Sequence, residues 1–435
     1  MDEDVRLLPF ALYEIERFLE YNECHLIYAD NDFLEESKRI NPELKPHFAY
    51  DTLLSKNYFG NFIVVKTKFL QVHEEILKGL SQTETIYHLI LRILSKTERI
   101  MHIDTVLYHK VHENINETEQ MHIIEEYLNR EKIAYQSVEK GKFEGQYKIN
   151  YTITQNPKIS IVIPNMDHIE DLDKAIQSIL TSTYTNYEVV IVENNSKQPE
   201  TFAYYERIQK QDSRIRVVTL KIEQFNYSKI MNFGVSQATG EYMVLLNNDI
   251  EVLTKDWLEQ MLMYVQRENV GICGVKLYFP DRSIQHAGVT IGVRGLAGHK
   301  YREVKEEDFS KTDGINYVQD LSAVTAACLM VKKQTYETLL GFDEKLAVAF
   351  NDVDFCLKVR KAKLYIVYNP FVELYHYESK SRGGEDTKEK QRRFAKEYEL
   401  FVKRWRRTIQ KGDPYFNINY RLDTDIPTIN YNKIR

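Results

Sequence analysis

The 435-residue chain has only four cysteines, 17 glycines and 10 prolines. Cys24, Cys273, Cys328 and Cys356 show no CxxC spacing, and all but Cys24 lie in apolar sequence. A disulfide framework or zinc ribbon is therefore not expected, and a reducing compartment is. The scarcity of Gly and Pro excludes collagen-like and low-complexity chains. No run approaches the roughly 18 apolar residues of a membrane-spanning helix. An excess of basic charge is also lacking. Lys+Arg 58 against Asp+Glu 64 leaves a net charge of −6, which excludes a general nucleic-acid binder. The start, MDEDVRLLPF, is acidic where a signal peptide needs a basic segment. A cytoplasmic location is expected.

What is present is a folded composition, 43% hydrophobic and 28% charged, with 30 tyrosines. Roughly 150 residues per domain gives a prior of about three domains. From Lys158 the pattern is regular. ISIVIP, YEVVIV, IRVVTL and EYMVLL read as buried strands, separated by the amphipathic stretches DLDKAIQSILTS and YSKIMNFGVSQATG, the latter stopped by Gly240. Strand alternating with helix means an α/β domain with a mostly parallel sheet. Ligands of such sheets sit beyond the carboxyl ends of the strands. Those ends are polar here: Pro164-Asn165, Glu193-Asn194-Asn195-Ser196 and Asn247-Asn248-Asp249.

Further along, VGICGVKLYF and AVTAACLMV read as strands flanking a mobile, glycine-containing loop region. DVDFCLKVRKA reads as a helix and YIVYNP as a strand, followed by a loop, ELYHYESKSRGGED. The first 157 residues differ. LLPFALYEIERFLEYN and TIYHLILRILS read as helices, CHLIYAD and NYFGNFIVVKTKFL as strands, and 111–157 as a linker with one helix.

The segments SIVIPN, IVENNS, FNYSKIMNFG, GEYMVLLNND, QHAGVTIG, AVTAACLMV, GFDEKLAVAFNDVDFCLKV and LYHYESKSRG occur in this order. Over about residues 158–415 the chain resembles a family 2 glycosyltransferase of the inverting, bacterial cell-surface polysaccharide type. The resemblance implies a GT-A fold, Rossmann-like with a mostly parallel sheet, over 158–390. An amphipathic helix and tail follow over 391–435. Residues 1–110 resemble the second half of another such domain. Asp2-Glu3-Asp4 stands at its Asp-x-Asp, and Ile86-Tyr87-His88 stands where the family has Asp-Tyr-Asp. They are expected to form a degenerate partial α/β domain, retained for packing or assembly or left by a truncated gene start, that binds no nucleotide sugar.

Sugar transfer from a nucleotide diphosphate sugar needs the diphosphate neutralised and the acceptor hydroxyl deprotonated. Asp249, closing GEYMVLLNND, is the expected ligand of Mg²⁺ or Mn²⁺, with Asn247 and Asn248 replacing the rest of the family's Asp-x-Asp. An Asn-Asn-Asp turn after a strand is the bland alternative. The resemblance places His376 near the same metal, and Arg382 is a candidate for pairing a phosphate. It also aligns Asp352 with the family's general base, where an N-cap is the structural alternative. Asp354 is expected to support Asp352 or cap the helix. Pro164, Asn165, Glu193 and Asn195 would line the nucleotide pocket. Asn226, Lys229 and Asn232 would contact the donor, and Gln285-His286 the acceptor.

In FAKEYELFVKRWRRTIQKG, Phe394, Tyr398, Phe401, Trp405 and Ile409 share a helical face. Lys403, Arg404, Arg406, Arg407 and Lys411 cluster near its end. A helix docked on the domain is favoured over peripheral contact with the inner face of a membrane. The expected function is metal-dependent, inverting transfer of a sugar to a growing polysaccharide or lipid-linked glycan acceptor. The alternative is a non-catalytic sugar-nucleotide-binding or scaffold subunit of a polysaccharide assembly complex. A nucleotidyltransferase would carry a basic, Gly-rich loop after the first strand, where this chain has the acidic PNMDHIED.

Overall fold

The computed structural model describes residues 4–36, 38–78, 85–111, 115–312, 314–377 and 387–434. It divides into two compact units, Met1–Thr152 with Gly412–Arg435, and Ile153–Lys411.

The first unit contains β1 (Val5–Leu7), α1 (Ala11–Tyr21), β2 (Leu26–Glu35), β3 (Lys38–Glu43), α2 (Tyr50–Ser55) and β4 (Ile63–Val65). α3 (Thr67–Val72), α4 (Ile86–Leu94), β5 (Ile100–Lys110) and α5 (Glu117–Arg130) follow, and then the hairpin β6 (Tyr135–Lys140) and β7 (Tyr147–Tyr151). The main sheet has the order β1-β5-β2-β3, with β4 also on β2. Among the described residues only the β2–β5 pairing of this sheet is parallel. Cys24, Ile27, Ala29, Ile103 and Leu107 are among the residues of its core.

Several expectations change here. NYFGNFIVVKTKFL is not one strand. Its strand is confined to Ile63–Val65, and a helix starts at Thr67. Cys24 is buried like the other three cysteines, and all four are free thiols. The stretch 111–157 holds α5 and the β6–β7 hairpin. Both belong to the first unit as far as Thr152, because Ile123, Ile124, Tyr127 and Leu128 bury one face of α5. The tail after Lys411 is also part of this unit: Asn417 Nδ2 donates to Asp30 at 2.9 Å and to the Lys45 carbonyl at 2.9 Å.

The second unit opens with β8 (Ile159–Asn165), α6 (Ile169–Leu180), β9 (Tyr187–Glu193), α7 (Pro199–Gln211), β10 (Ile215–Thr219), α8 (Tyr227–Gln237) and β11 (Tyr242–Leu246). It continues with β12 (Ile250–Val252), α9 (Trp257–Val265), β13 (Val270–Tyr278), β14 (Ile284–His286), β15 (Val289–Ile291), β16 (Ala297–His299), β17 (Gln319–Asp320) and β18 (Cys328–Lys332). α10 (Lys333–Thr338), α11 (Asn351–Lys361), β19 (Tyr365–His376) and α12 (Lys388–Lys411) complete it. The sheet order is β10-β9-β8-β11-β18-β13-β19-β12. β10, β9, β8 and β11 are mutually parallel, the arrangement expected of a Rossmann-like half. β18 runs antiparallel to both β11 and β13, so the sheet is mixed on its other side.

β9 is buried along its whole length because YEVVIVE is covered on both faces. α6 buries Leu172, Ala175, Ile176 and Ile179, one face at helical spacing. α8 lies close on the sheet because Gly234 has no Cβ; one would stand 2.4 Å from Val162 Cγ1. α8 ends at Gln237, before Gly240.

AVTAACLMV becomes a strand only from Cys328. Val324 packs on Gly274, and the Ala326 amide and Ala327 carbonyl turn to side chains and loops near the site. The region read as a mobile loop holds short strands, the buried β14 on β13 and the buried β15 paired with the half-buried β16. β19 runs through His376, which sequence reading had placed in a loop. The terminal helix starts at Lys388, before 391.

The sheet of the first unit repeats the β12, β13, β19 side of the second. β1 pairs antiparallel with β5 as β12 does with β19, and β2∥β5 matches β13∥β19. Tyr377 N donates to the Asp249 carbonyl at 2.9 Å, and Val111 N to the Asp4 carbonyl at 2.9 Å. Asp4 therefore stands at the place of Asp249, and Lys110 at the place of His376. Lys110 Nζ bonds Glu43 at 2.8 Å, so a cation occupies that place in the first unit.

Candidate active site

β8 and β11 are neighbouring parallel strands, so their carboxyl ends open on the same edge. Beyond β11 the chain turns through Asn247-Asn248-Asp249 into β12, whose register sets Ile250 opposite His376. This register brings together the two expected metal ligands. Asp249 Oδ1 lies 3.2 Å from His376 Nε2, both side chains being buried. Asp249 Oδ1 and His376 Nδ1 are buried without a hydrogen bond among the described residues. Octahedral bonds of about 2.1 Å set neighbouring ligand atoms about 3 Å apart. A carboxylate oxygen and an imidazole nitrogen at this separation fit a hard or borderline divalent cation. Asn247 Nδ2 lies 3.3 Å from His376 Nε2, and Asn247 Oδ1 accepts from the Tyr227 hydroxyl at 3.1 Å.

Tyr227 links this pair to Asp352. Its hydroxyl also donates to the Ala326 carbonyl at 3.3 Å, and the Ala326 amide donates to Asp352 Oδ2 at 3.3 Å. Burial, with Asp352 and Asp249 nearby, raises the Tyr227 pKa well above the ordinary phenol. Asp352 sits in the first turn of α11, half-buried, and its Oδ1 accepts from Val353 N at 2.8 Å. The residue before the helix, Phe350, has a left-handed backbone (φ 63). That turn is clamped by α12, where Glu397 accepts from Ala349 N at 2.7 Å and the Phe401 ring stacks on Phe350.

Asp354 has a different task. It is wholly buried and accepts from Arg404 Nη1 at 2.7 Å and Trp405 Nε1 at 2.8 Å, and Arg404 also bonds Asp343. α12 is therefore docked on the domain by Phe401 and by Arg404, a member of the basic cluster. Phe394 and Tyr398 remain exposed.

The residues expected around the nucleotide and donor separate into several groups. Asn165 and Glu193, both buried, form one network with the half-buried Asn248. Asn248 Nδ2 donates to Asn165 Oδ1 at 2.7 Å, Asn165 Nδ2 reaches the Tyr205 hydroxyl at 2.8 Å, and Tyr205 donates to Glu193 at 2.7 Å. The other Glu193 oxygen accepts from Ser196 N at 2.6 Å. Pro164 lies beside Asn165 at the end of β8, and Asn195 donates to the Ile222 carbonyl. Asn226 and Asn232 hold the loop before α11. Asn226 caps α8 and donates to the Glu344 carbonyl at 2.8 Å; Asn232 bonds Phe342 N, Phe342 O and the Tyr336 hydroxyl. Lys229 is exposed on α8. Arg382 lies outside the described residues.

Sequence reading did not single out Tyr205, Tyr227 or His299. His286 Nδ1 lies 3.0 Å from His299 Nδ1. Burial, then His299 and His376, push the His286 pKa well below its ordinary value, so it is neutral near pH 7. Among 30 tyrosines nothing marks two as linkers; only their contacts do.

Residues 160–333 match the family model described as glycosyl transferase family 2. The chain carries a family 2 glycosyltransferase domain. An uncharacterized protein of Sinorhizobium fredii is 35% identical over 97% of this chain and 48% of its own length. The O-antigen biosynthesis protein RfbC of Myxococcus xanthus is 33% identical over 96% of this chain and 33% of its own. The GalNAc(5)-diNAcBac-PP-undecaprenol beta-1,3-glucosyltransferase of Campylobacter jejuni is 23% identical over 49% of this chain and 63% of its own. The chain thus spans less than half the length of the first two relatives. Their similarity runs through both units, beyond the glycosyltransferase domain alone.

Proposed function

We propose that the protein transfers a sugar from a nucleotide diphosphate sugar to a growing polysaccharide or lipid-linked glycan, with inversion, using Mg²⁺ or Mn²⁺. The carrying observation is the buried Asp249–His376 pair, with its unbonded carboxylate oxygen, at the sheet edge where a diphosphate would lie. Asp249 and His376 would hold the cation, which when bound neutralises the leaving diphosphate. Asp352 takes the proton from the attacking acceptor hydroxyl. Tyr227, Asn247 and the Ala326 amide keep the distance between donor and base fixed, which is how alignment lowers the barrier. Asn165, Glu193, Asn195, Asn248 and Pro164 shape the nucleotide end, Tyr205 and Ser196 holding the Glu193 carboxylate in place. Neutral His286 is suited to hydrogen bonding near the acceptor. The relatives named for O-antigen biosynthesis and for glucosyl transfer to an undecaprenol-linked glycan support this class of acceptor.

Among the described residues no helix is long and apolar enough to cross a membrane. A cytoplasmic enzyme meeting a lipid-linked acceptor at the inner face could use Lys403, Arg406, Arg407 and Lys411, which are exposed on α12. The first unit is proposed as a packing or assembly element without a donor site, supported by Lys110 at the place of His376.

The test is calorimetry of a nucleoside diphosphate with and without Mn²⁺, together with transfer assays over nucleotide sugars. Asp249→Ala should abolish metal-dependent binding and transfer while circular dichroism stays native. Unchanged metal dependence would remove Asp249 from the site. A wild-type protein that binds donor but neither hydrolyses nor transfers it would favour the non-catalytic subunit. One observation leans that way: a single carboxylate stands at the end of β11.

A further inference from the structure

A second set of metal-ligating side chains lies within the first unit, far in sequence from Asp249 and His376. His47, His102 and Asp104 offer ligand atoms that all lie within 4.8 Å of one another. His102 Nδ1 is 3.2 Å from Asp104 Oδ1, and His47 Nε2 is 3.5 Å from Asp104 Oδ2. Zinc bonds of about 2.0–2.1 Å in a tetrahedron put ligand atoms about 3.3 Å apart. The two distances to Asp104 bracket that value, and the two histidine nitrogens lie within 4.8 Å of each other.

The His102 side chain is fully buried, and neither its Nδ1 nor Asp104 Oδ1 makes a hydrogen bond among the described residues. His102 Nδ1 and Asp104 Oδ1 thus face each other at 3.2 Å without a hydrogen bond, and a fully buried ring nitrogen in that state costs free energy unless something meets it. The other ring nitrogen is already held, Nε2 lying 2.8 Å from Asp30 Oδ1. A carboxylate behind one nitrogen of an imidazole fixes the ring and leaves the opposite nitrogen as a lone pair, the arrangement that supports metal-bound histidines. Asp30 is itself fixed by Asn417 Nδ2 at 2.9 Å and by Lys45 N at 2.8 Å. The Tyr28 ring stacks on His102 at 4.8 Å and holds its plane.

The backbone explains why these side chains converge. His102 and Asp104 are two apart on β5, and the β2–β5 register slips between Ile103 and Val106, opposite Ala29 and Asp30. Such an irregularity frees a residue from the ladder and re-aims its side chain. His47 arrives from the segment between β3 and α2, where its amide donates to the Pro414 carbonyl at 2.8 Å. The tail also bonds strand β5, since Asn419 Nδ2 donates to the Asp104 carbonyl at 3.0 Å.

The geometry points to a zinc-class divalent ion bound by His47 Nε2, His102 Nδ1 and the Asp104 carboxylate, clasping the 44–49 segment and the 413–420 tail to β5. Two imidazoles and one carboxylate suit Zn²⁺ better than Mg²⁺. His47 is half-exposed, so the fourth position faces water. The competing arrangement is a metal-free triad in which a protonated His102 bridges Asp30 and Asp104.

The full-length protein, expressed without a histidine tag and dialysed, decides between them by elemental analysis and by the visible spectrum after Co²⁺ loading. The expected result is about one zinc per chain and a tetrahedral Co²⁺ band. His47→Ala, the change least able to disturb folding, should lose both with native circular dichroism. Asp30→Asn should weaken zinc affinity about 10–100-fold. His376→Ala should keep the zinc, separating this site from the one at Asp249. Wild-type protein that takes up no zinc and gives no Co²⁺ band would overturn the proposal in favour of the triad. Equal loss of zinc from His376→Ala with His47→Ala unaffected would overturn it too.

Discussion

Asp249 Oδ1 and His376 Nε2 meet at 3.2 Å because β12 pairs with β19 in a register that sets Ile250 opposite His376. The Asp249 carbonyl accepts from Tyr377 N, so the backbone clamps the pair from both sides. A shift of one residue in this register would turn His376 to the opposite face of the sheet. The site is therefore as stable as a short edge pairing, and its supports become the places to probe.

Asp352→Asn should leave donor affinity nearly unchanged and lower the transfer rate about 10²–10⁴-fold. The amide keeps the size of the side chain and its one oxygen can still accept from Val353 N, the shorter of the two bonds, while the contact with Ala326 N is given up and the acceptor's proton can no longer be taken up. Single-turnover rates beside calorimetric donor binding are the measurement. Turnover at the wild-type rate would return Asp352 to a structural role.

Tyr227→Phe removes the hydroxyl that joins Asn247 to Ala326. A stability loss of about 1 kcal/mol is expected from denaturant titration. The rate should fall more than donor affinity does, because the spacing of cation and base loosens while the nucleotide network around Asn165 is untouched. A mutant altered in stability alone would show the linkage to be structural only.

Arg404→Ala leaves the wholly buried Asp354 without its nearest cation, Trp405 Nε1 and a more distant Lys358 remaining. Leaving a buried carboxylate short of one charged partner costs about 1–3 kcal/mol, Arg404 itself being partly exposed. Thermal unfolding should show a lower Tm, and transfer should weaken as α12 loosens its grip on the turn before Asp352. Restoring stability with Asp354→Asn in the Arg404→Ala background would confirm the cause.

Glu188 gives a prediction in pH. Burial alone would raise its pKa, but bonds from the Ser160 hydroxyl, Thr239 and Arg216 hold it at about 2, below the ordinary 4.5. The folded pKa is the lower one. Its contribution is thus complete above about pH 4.5 and disappears as the pH falls towards 2. Glu188→Gln should cost about 1–2 kcal/mol at pH 7. The gap from wild type should close as the pH falls below 4.5. A gap constant from pH 7 to pH 3 would show that the charge does not matter.

The amino-acid sequence by itself determined the order of β8, β9, β10 and β11 and the presence of α6 and α8 between them. Those strands are apolar on both faces, and each helix carries one apolar stripe, so burial leaves a chain of this kind one way to layer. It also pointed to Asp249, His376 and Asp352, through the order of the segments that contain them. Only the tertiary structure decided what those residues touch. Glu193 reads as an acid ending a strand and lining the nucleotide pocket, and both its oxygens are engaged by Ser196 and Tyr205. Asp354 reads as a support for Asp352 or a helix cap, yet it anchors α12. Arg404 reads as one of a basic cluster, yet it pairs with Asp354 and Asp343. His102 and Asp104 carry no motif spacing; they come near His47 because β5, whose register on β2 slips just after Ile103, lies against the 44–49 segment. Periodicity reports which face of an element is buried. Contacts between distant segments depend on strand register, bulges and the packing of one helix across another, and these are settled only when the whole chain has closed.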